Sequence, residues 1–206
     1  MLRSSLLSEL PWIDHGFGTR ADVVPQEDMA SLKQIHSAVV WEAEQAGVAG
    51  EGDALVTSTA GIPVSVRTAD CYPILLADRR NFAVAAVHAG WRGTAARIVV
   101  KTIEQMRARF GTDASDLRVA IGPGIGGCCY HVGVEVARQF GLEQAGKIDL
   151  AEMNHRLLVE NGVAAERIQV LGGCTQCDVG LFHSFRRDKE SAGRMVSYIG
   201  RVGSAI

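Results

Sequence analysis

The sequence predicts a single α+β domain, residues 1–206, in which a mixed sheet is covered by helices. Its 206 residues fit one domain at the usual ~100–200 residues per domain. Hydrophobic residues make up 47% of the chain and charged residues 21%, which excludes a disordered, collagen-like or disulfide-stapled chain and allows a sizeable core. Short apolar runs alternate irregularly with about three helical patterns, a mixture typical of the α+β class.

The strand predictions rest on short β-branched or apolar runs that are bounded by Gly, Pro, Asp or Asn. In the first half of the chain they cover residues 53–57, 62–68, 72–77 and 82–88. In the second half they cover residues 117–121, 168–171, 181–185 and 195–199. The first half is therefore rich in strands, and helices are expected mainly after residue 93.

Three segments show apolar residues at the three- and four-residue intervals of a helix. The first runs from Thr94, which can cap its start, to Gly111, which can end it. The second covers residues 132–140 and ends at Gly141. The third begins near Asp149 and stops by Gly162. These are the helices expected to cover the sheet.

The net charge and the cysteine content limit the classes of ligand and the cellular compartment that we expect for this chain. Lys plus Arg number 21 against 23 Asp plus Glu, a formal net charge of -2, so a small, roughly neutral ligand fits better than nucleic acid or an anionic membrane. No apolar run reaches the ~18–20 residues of a spanning helix, and residues 1–10 lack the features of a signal peptide, so we expect a cytoplasmic protein. The five cysteines are an odd number, which predicts free thiols or metal ligands.

Three widely separated residues, His36, Cys71 and His88, are candidate metal ligands. A thiolate with two imidazoles suits zinc, and three protein ligands leave the fourth tetrahedral position open, as in catalytic zinc sites. Spacing alone does not separate this reading from a buried cysteine and two hydrogen-bonded histidines. Asp70 directly precedes the thiol and is a candidate general acid or base, with a turn- or cap-forming aspartate as the alternative. Residues 90–93 place a charge and a flexible turn after His88, which favours a functional loop.

Other motifs leave their roles open. Residues 122–127 (GPGIGG) match a dinucleotide-binding pattern, but Pro123 and the helical region about 20 residues further on argue against it. What remains is a loop whose backbone approaches an anion or a flat ring, or an ordinary turn between a strand and a helix. Cys174 and Cys177 form a C-x-x-C pair with no second pair at zinc-knuckle spacing, which favours locally packed thiols. The adjacent arginines at 186 and 187 can clamp a phosphate or carboxylate, or serve as surface charges.

Several segments occur together, in this order, in one known family. They are HGFGTR at 15–20, KQIHS at 33–37, RTADCYPILL at 67–76, VAAVHAGWRGT at 84–94, AIGPGIG at 120–126, CCYHVGVEV at 128–136, CTQCD at 174–178 and FHSFRRDKESAGRM at 182–195. Through them the chain resembles the YfiH family of laccase-domain proteins over most of its length, and TADC followed by HAGWRG is highly specific. It departs from the family in having only 13 residues between Arg20 and Gln34, which puts part of a pocket wall, and so the substrate range, in doubt.

The resemblance implies a single-domain α/β/β/α sandwich similar to that of cytotoxic-necrotizing-factor toxins. It also implies a mononuclear zinc bound by His36, Cys71 and His88, with copper as the alternative metal. Members of the family are credited with phosphorolysis of adenosine, inosine and methylthioadenosine and with deamination of adenosine. The expected partners are therefore a purine nucleoside and phosphate; the oligomeric state is left open.

The two activities assign the expected roles to particular residues. For deamination, Asp70, Cys71 and His88 are the expected catalytic residues, with zinc activating water for attack at C6 of adenine and Asp70 relaying the proton. For phosphorolysis, the expected substrate-binding residues hold phosphate against C1′ of the ribose. These are Arg67, Arg92 and Arg186, with Arg20 as a further candidate; the sequence leaves open which of them binds the phosphate.

Three other functions stay open at this point. The family also implies hydrolysis of a misassembled cell-wall precursor, a UDP-muramoyl-serine-type compound. A copper polyphenol oxidase is disfavoured because a multicopper site needs many histidines, and the six of this chain are scattered with no H-x-H pair. A binding module could use the glycine loop and Trp91 to hold a nucleotide without converting it.

Overall fold

Two mixed β-sheets packed face to face form the centre of the molecule, and helices cover the outer face of one of them. The structure is a computed structural model that describes residues 1–203. Residues 204–206, the end of the predicted domain 1–206, lie outside the described residues.

The bounds of the elements are as follows, within the described part of the chain. The strands are β1 (Ile13–Phe17), β2 (Ala30–Lys33), β3 (Val40–Glu42), β4 (Gly47–Glu51), β5 (Ala54–Thr57), β6 (Val64–Thr68), β7 (Tyr72–Asp78), β8 (Ala83–Ala89), β9 (Leu117–Ile121), β10 (His131–Val132), β11 (Gly146–Lys147), β12 (Ile168–Val170) and β13 (Met195–Arg201). The α-helices are α1 (Ser5–Ser8), α2 (Trp91–Ala95), α3 (Ile98–Phe110), α4 (Val134–Arg138), α5 (Leu150–Glu160) and α6 (Phe185–Asp188).

The two large sheets both mix parallel and antiparallel pairs. The first has the order β1-β13-β6-β2-β4, with β2 parallel to β6 and to β4. The second has the order β12-β9-β7-β8-β5-β3, with parallel pairs at its two edges and antiparallel pairs between them. The pairing of β7 with β8 runs from Tyr72 opposite Ala89 to Asp78 opposite Ala83. The start of β7 and the end of β8 therefore lie side by side at one end of these two central strands.

The core has two layers, one on each side of the second sheet. Leu75 and Ala86 face the first sheet and pack with Phe17 and Val66. Their neighbours along the strands, such as Ile74 and Val87, face the other way, toward α3 and α5. Because β7 and β8 are covered on both faces, both strands are completely buried. This two-sided burial explains why their sequences are continuous apolar runs rather than alternating ones.

The helix predicted from Thr94 is divided in two. Ala96 and Arg97 lie between α2 and α3, and Arg97 has a left-handed backbone with φ of 61°. Thr94 lies inside α2, and its hydroxyl oxygen accepts a hydrogen bond of 2.9 Å from the side-chain amide of Asn154. The predicted cap at Thr94 is therefore wrong, since its hydroxyl ties α2 to α5. The predicted end at Gly111 is confirmed, with φ of 71°.

The strand predicted at residues 181–185 is also wrong. That segment forms turns and leads into α6, which begins after Ser184, whose hydroxyl accepts a hydrogen bond from the backbone N–H of Arg187. The helix predicted at 132–140 is shorter, because only Val134–Arg138 is helical. The prediction near Asp149 is confirmed, since the Asp149 side chain caps α5. No helix among residues 1–203 is both long and apolar enough to cross a membrane.

Candidate metal centre and cavity

His36, Cys71 and His88 converge on one point, as the sequence suggested. One ligand atom from each lies within 4.8 Å of the other two. His36 is in the loop after β2, Cys71 directly precedes β7, and His88 is near the end of β8. The three donors are 35 and 17 residues apart in the chain, and the meeting of β7, β8 and the loop after β2 brings them together.

The close approach of these side chains depends on Gly90. A Cβ atom at this position would lie 2.8 Å from the Cys71 sulfur and 3.4 Å from Cδ2 of His36. The backbone of Gly90 is extended, with φ of -81°, so glycine is needed here for space and not for backbone conformation. This is a physical reason for glycine after the histidine in HAGWRG.

A buried carboxylate, Asp53, orients two of the three donors. It is completely inaccessible to solvent and lies 2.7 Å from Nδ1 of His88. It also accepts hydrogen bonds from the backbone N–H groups of His36 and Ser37, at 3.0 and 2.5 Å. Engaging Nδ1 of His88 leaves Nε2 for the centre, the arrangement that carboxylate partners impose on metal-binding histidines. Asp53 is not among the residues singled out from the sequence; the signal that could have found it is an acidic residue directly before a fully buried strand.

Two residues of the centre have backbone conformations that favour glycine. His36 has φ of 58° and Asp70 has φ of 91°. Non-glycine residues in this region are uncommon and persist where the surrounding structure holds them, often at functional sites. For His36, the hydrogen bonds to Asp53 provide that constraint.

The charges of the centre are coupled. Burial raises the pKa of the Cys71 thiol, but hydrogen bonds from the His36 and His88 imidazoles outweigh this and lower the pKa to about 7. Burial lowers the pKa of His88, but the Asp53 carboxylate and the Cys71 thiolate raise it to about 9. Burial also opposes ionisation of Asp53, yet hydrogen bonds from His88 and Ser37 bring its pKa to about 2. Cys71 therefore reaches the thiolate form, the one that binds metals, near neutral pH.

The three donors lie on the wall of a cavity of about 710 Å³. This volume is within the range of about 300–1,000 Å³ that is usual for small-molecule sites. Apolar and aromatic side chains form another part of the wall: Trp91, Ile125, Tyr130, Leu150 and Phe185. The cavity can therefore enclose a flat aromatic group beside the metal donors.

Basic side chains line a further part of the cavity wall: Lys33, Arg67, Arg186, Lys189 and Arg194. The Arg186 guanidinium lies 5.1 Å from the centre of the Tyr130 ring and donates to the backbone oxygen of His131 at 3.1 Å. Such a wall attracts an anion, and guanidinium groups bind phosphate with two parallel hydrogen bonds.

The arginines singled out from the sequence separate into two groups. Arg67 and Arg186 line the cavity, whereas Arg92 stacks on Trp91 at 4.4 Å and is not among the lining residues. Arg20 donates to the backbone oxygen of Val179 at 2.8 Å. The Arg187 guanidinium donates hydrogen bonds to backbone oxygens of the loop at 175–182. Of these arginines, only Arg67 and Arg186 are therefore placed to contact a ligand in this cavity.

Asp70 lines the cavity and also joins three segments of chain. One carboxylate oxygen accepts a hydrogen bond of 2.6 Å from the Thr175 hydroxyl, and the other accepts one of 2.6 Å from the backbone N–H of Arg186. Its backbone oxygen accepts from Ile125. Asp70 thus positions the segment that carries Arg186, while its role as a proton relay stays a prediction.

The glycine loop at 122–127 serves close packing. A Cβ atom at Gly124 would lie 2.7 Å from the Tyr72 ring, and the Tyr72 hydroxyl donates to the backbone oxygen of Ile125 at 3.0 Å.

The same loop leads to Cys128 and Cys129, and these lie close to Cys174 and Cys177. The second pair of cysteines, which the sequence lacked at zinc-knuckle spacing, therefore comes from a neighbouring loop, and the interpretation of Cys174 and Cys177 as packed thiols stays a prediction.

Comparison with known proteins agrees with the fold. The family described as multi-copper polyphenol oxidoreductase laccase matches residues 18–202. A purine nucleoside phosphorylase of Deinococcus radiodurans is 43% identical over 185 residues, which cover 84% of this chain and 70% of that protein. An adenosine deaminase RL5 from an unknown prokaryotic organism is 37% identical over 202 residues, covering 86% of this chain and 77% of that protein. The crystal structure of YlmD from Geobacillus stearothermophilus matches with a TM-score of 0.82 and 33% identity, covering 87% of this chain and 75% of that one.

Fold and site together define a mixed α/β protein of two packed sheets with a His-Cys-His group of metal donors beside a cavity. The chain belongs to the YfiH family of laccase-domain proteins. The α+β class predicted from the sequence is thereby confirmed.

Proposed function

We propose that this chain is a zinc-dependent purine nucleoside phosphorylase that also deaminates adenosine. The observation that carries the proposal is one cavity that brings together the His36, Cys71 and His88 donors, aromatic faces and a basic wall. A purine nucleoside needs an aromatic surface for its base, and the second substrate of phosphorolysis is an anion. The activities after which the Deinococcus and RL5 relatives are named support the same pair of reactions.

The donor set fits zinc. A thiolate and two imidazoles are typical zinc ligands, and a centre with three protein ligands has a further position for a substrate group. The Asp53 carboxylate on Nδ1 of His88 is the partner that such sites use to orient a histidine. When bound here, zinc would supply Lewis-acid chemistry at the cavity wall.

Copper remains the alternative metal, because cysteine and histidine also bind it. A multicopper oxidase needs more histidines than this arrangement offers. Among residues 1–203, the groups of three or more clustered donors include two histidines, His36 and His88. The donor chemistry therefore favours a single-ion centre and a non-oxidative reaction.

For phosphorolysis, the side chains of this chain bind and orient both substrates. Arg67 and Arg186 hold phosphate so that one of its oxygens attacks C1′ while the bond from C1′ to the purine nitrogen breaks. Positive charge develops on the ribose in this step, and the adjacent bound phosphate stabilises it. Trp91 and Tyr130 provide the surface against which the purine is held. Asp70 contributes by fixing the backbone of Arg186.

For deamination, Asp70 has a second role. It lines the cavity, and each of its carboxylate oxygens keeps a free lone pair after accepting one hydrogen bond. It can take a proton from the attacking water and deliver it to the amine that leaves C6 of adenine.

A direct test measures metal content and turnover in the purified protein. We expect zinc in the protein, phosphate-dependent release of adenine or hypoxanthine from adenosine and inosine, and conversion of adenosine to inosine without phosphate. Cys71→Ala removes a metal ligand, so both activities should fall by more than about 100-fold, beyond what loss of a mere supporting residue costs.

Arg156→Ala, an exposed substitution on α5, is the control and should retain wild-type rates. Full turnover by Cys71→Ala would contradict the metal-dependent mechanism. Activity on a UDP-muramoyl-serine compound with no nucleoside turnover would favour the cell-wall hydrolase. Tight nucleoside binding without product would favour the binding module.

A further inference from the structure

Four cysteines form a second group of metal donors outside the cavity. Cys128 and Cys129 lie in the segment between β9 and β10, and Cys174 and Cys177 lie in the segment after β12. The sulfur atoms of all four are within 4.8 Å of one another. The function proposed above uses none of them, so this cluster needs its own explanation.

The fold itself brings the two segments together. The strands that precede them, β9 and β12, are parallel neighbours. Both segments therefore leave the second sheet at the carboxyl ends of these strands, on the same side of the sheet. A parallel bridge continues the pairing from Gly124 to Cys174, and the backbone N–H of Thr175 donates to the oxygen of Gly124 at 3.0 Å. The sulfurs therefore meet because the backbones are held side by side.

Three of the six distances between the sulfurs are close to those around a single tetrahedral ion, and the sulfur of Cys174 lies within 4.8 Å of the other three. The three distances are 3.3 Å for Cys129 and Cys177, 3.7 Å for Cys128 and Cys129, and 3.9 Å for Cys128 and Cys177. Four thiolates at the usual Zn–S length of about 2.3 Å lie ~3.8 Å apart along each edge of the tetrahedron. A disulfide has its sulfurs about 2.05 Å apart. An iron–sulfur cluster holds inorganic sulfide between its irons and spreads the cysteine sulfurs farther than one ion does.

The surroundings suit thiolate ligands. The backbone N–H of Gly126 donates to the Cys174 sulfur at 3.3 Å, the kind of outer hydrogen bond that orients a metal ligand. A Cβ atom at Gly126 would lie only 3.3 Å from the Cys128 sulfur and 3.4 Å from Cβ of Cys174. Cys128 and Cys177 are exposed, which gives an ion a path from solvent.

We propose that Cys128, Cys129, Cys174 and Cys177 bind one zinc ion as a closed tetrathiolate site. Each cysteine that is still a thiol gives its proton to solvent when Zn²⁺ binds, and the ion exchanges bound water for sulfur. Four protein ligands leave no position for a substrate, so the role of this site is structural.

The structural role concerns one wall of the catalytic cavity. Ile125 and Tyr130, which line it, flank Cys128 and Cys129 in the chain. Thr175, which donates to Asp70, lies between the other two ligands. An ion bound by all four sulfurs would therefore tie together the two segments that shape this wall.

The test begins with a protein in which the other centre is disabled. Cys71→Ala should retain about one zinc ion per chain, against about two in the wild type. When this variant is loaded with Co²⁺, we expect intense charge-transfer and ligand-field absorption, with the intensities of four thiolates around a tetrahedral ion, saturating at one equivalent.

The reciprocal variant is Cys177→Ser, at an exposed position. It should also bind about one zinc ion and should show the weaker cobalt spectrum of a centre with a single thiolate. If it does not fold, the Co²⁺ titration of Cys71→Ala still decides. The site is overturned if that variant binds no Co²⁺ with a tetrathiolate spectrum. A mass lower by two hydrogens per cysteine pair, with thiols that do not react, would overturn it in favour of disulfides. Absence of nucleoside turnover in wild-type protein that holds this second ion would count against the proposed function alone.

Discussion

The two groups of metal donors differ in their ligands, their support and their surroundings. His36, Cys71 and His88 combine two nitrogens with one sulfur, are held by the buried Asp53, and open onto the cavity. The four-cysteine cluster is formed of sulfur alone, on two loops, with no protein carboxylate among its donors. Open, mixed-donor sites are typical of catalytic zinc, and closed thiolate sites of structural zinc. One chain thus displays both arrangements on the same sheet.

The largest effect that separates the two groups is expected from Asp53→Asn. The amide removes the negative charge beside Nδ1 of His88, so metal affinity at this centre should fall by about 10- to 100-fold. The four-cysteine site should keep its ion. Competition with a chelator, monitored by metal release, measures both constants in one experiment.

Asp28→Asn, at an exposed aspartate, is the matched control and should bind both ions as the wild type does. Equal weakening of both sites by Asp53→Asn would mean that the substitution acts through general destabilisation. That result would contradict the role of Asp53 in orienting His88.

Gly90→Ala sharpens the comparison by crowding only one group. The added Cβ atom would lie 2.8 Å from the Cys71 sulfur, so this ligand must shift, and metal affinity should fall by about 10-fold. Isothermal titration of Zn²⁺ into the protein stripped of metal, compared with wild type, measures the change.

Gly133→Ala offers a close match as control. Gly133 also precedes a short helix with an extended backbone, and nothing lies within 4 Å of its added Cβ atom. A similar loss of affinity in both variants would point to the helix start rather than to Cys71 as the cause.

The smallest effect concerns the open side of the His-Cys-His centre. Arg67→Ala removes an exposed charge from the cavity wall, so the KM for phosphate should rise by about 5-fold, with solvent screening limiting the change. Arg92→Ala should change it less, because this side chain stacks on Trp91 instead of lining the cavity. Steady-state kinetics at varied phosphate concentration compare the two. A larger effect at Arg92 than at Arg67 would contradict the choice of Arg67 as a phosphate-binding residue.

The sequence predicted the parts of the fold whose burial leaves a simple pattern. The central strands β5, β7 and β8 are nearly continuous apolar runs because both faces are covered, and they were found with nearly correct bounds. The edge strand β4 (GVAGE) contains two glycines and no buried residue, so it carries little signal. The segment at 181–185 is rich in apolar residues yet forms turns, since Ser184 caps a helix there.

In the candidate sites too, the features that depend on contacts between distant parts of the chain could not be predicted from local sequence patterns. Ligand chemistry and the family resemblance together named His36, Cys71 and His88. Neither named Asp53, whose five hydrogen-bond donors come from four residues that are 16 to 35 positions away in the sequence. The four-cysteine cluster was missed because the parallel pairing of β9 with β12, which no local pattern reveals, brings its two halves together.

Gln34 ties the strand that carries Arg67 to the loop that carries His36. Its side-chain amide donates to the backbone oxygen of Arg67 and accepts from the N–H of the same residue, both at 2.8 Å. His36 follows two residues later in the chain. One amide group therefore fixes the position of the His36 loop relative to β6.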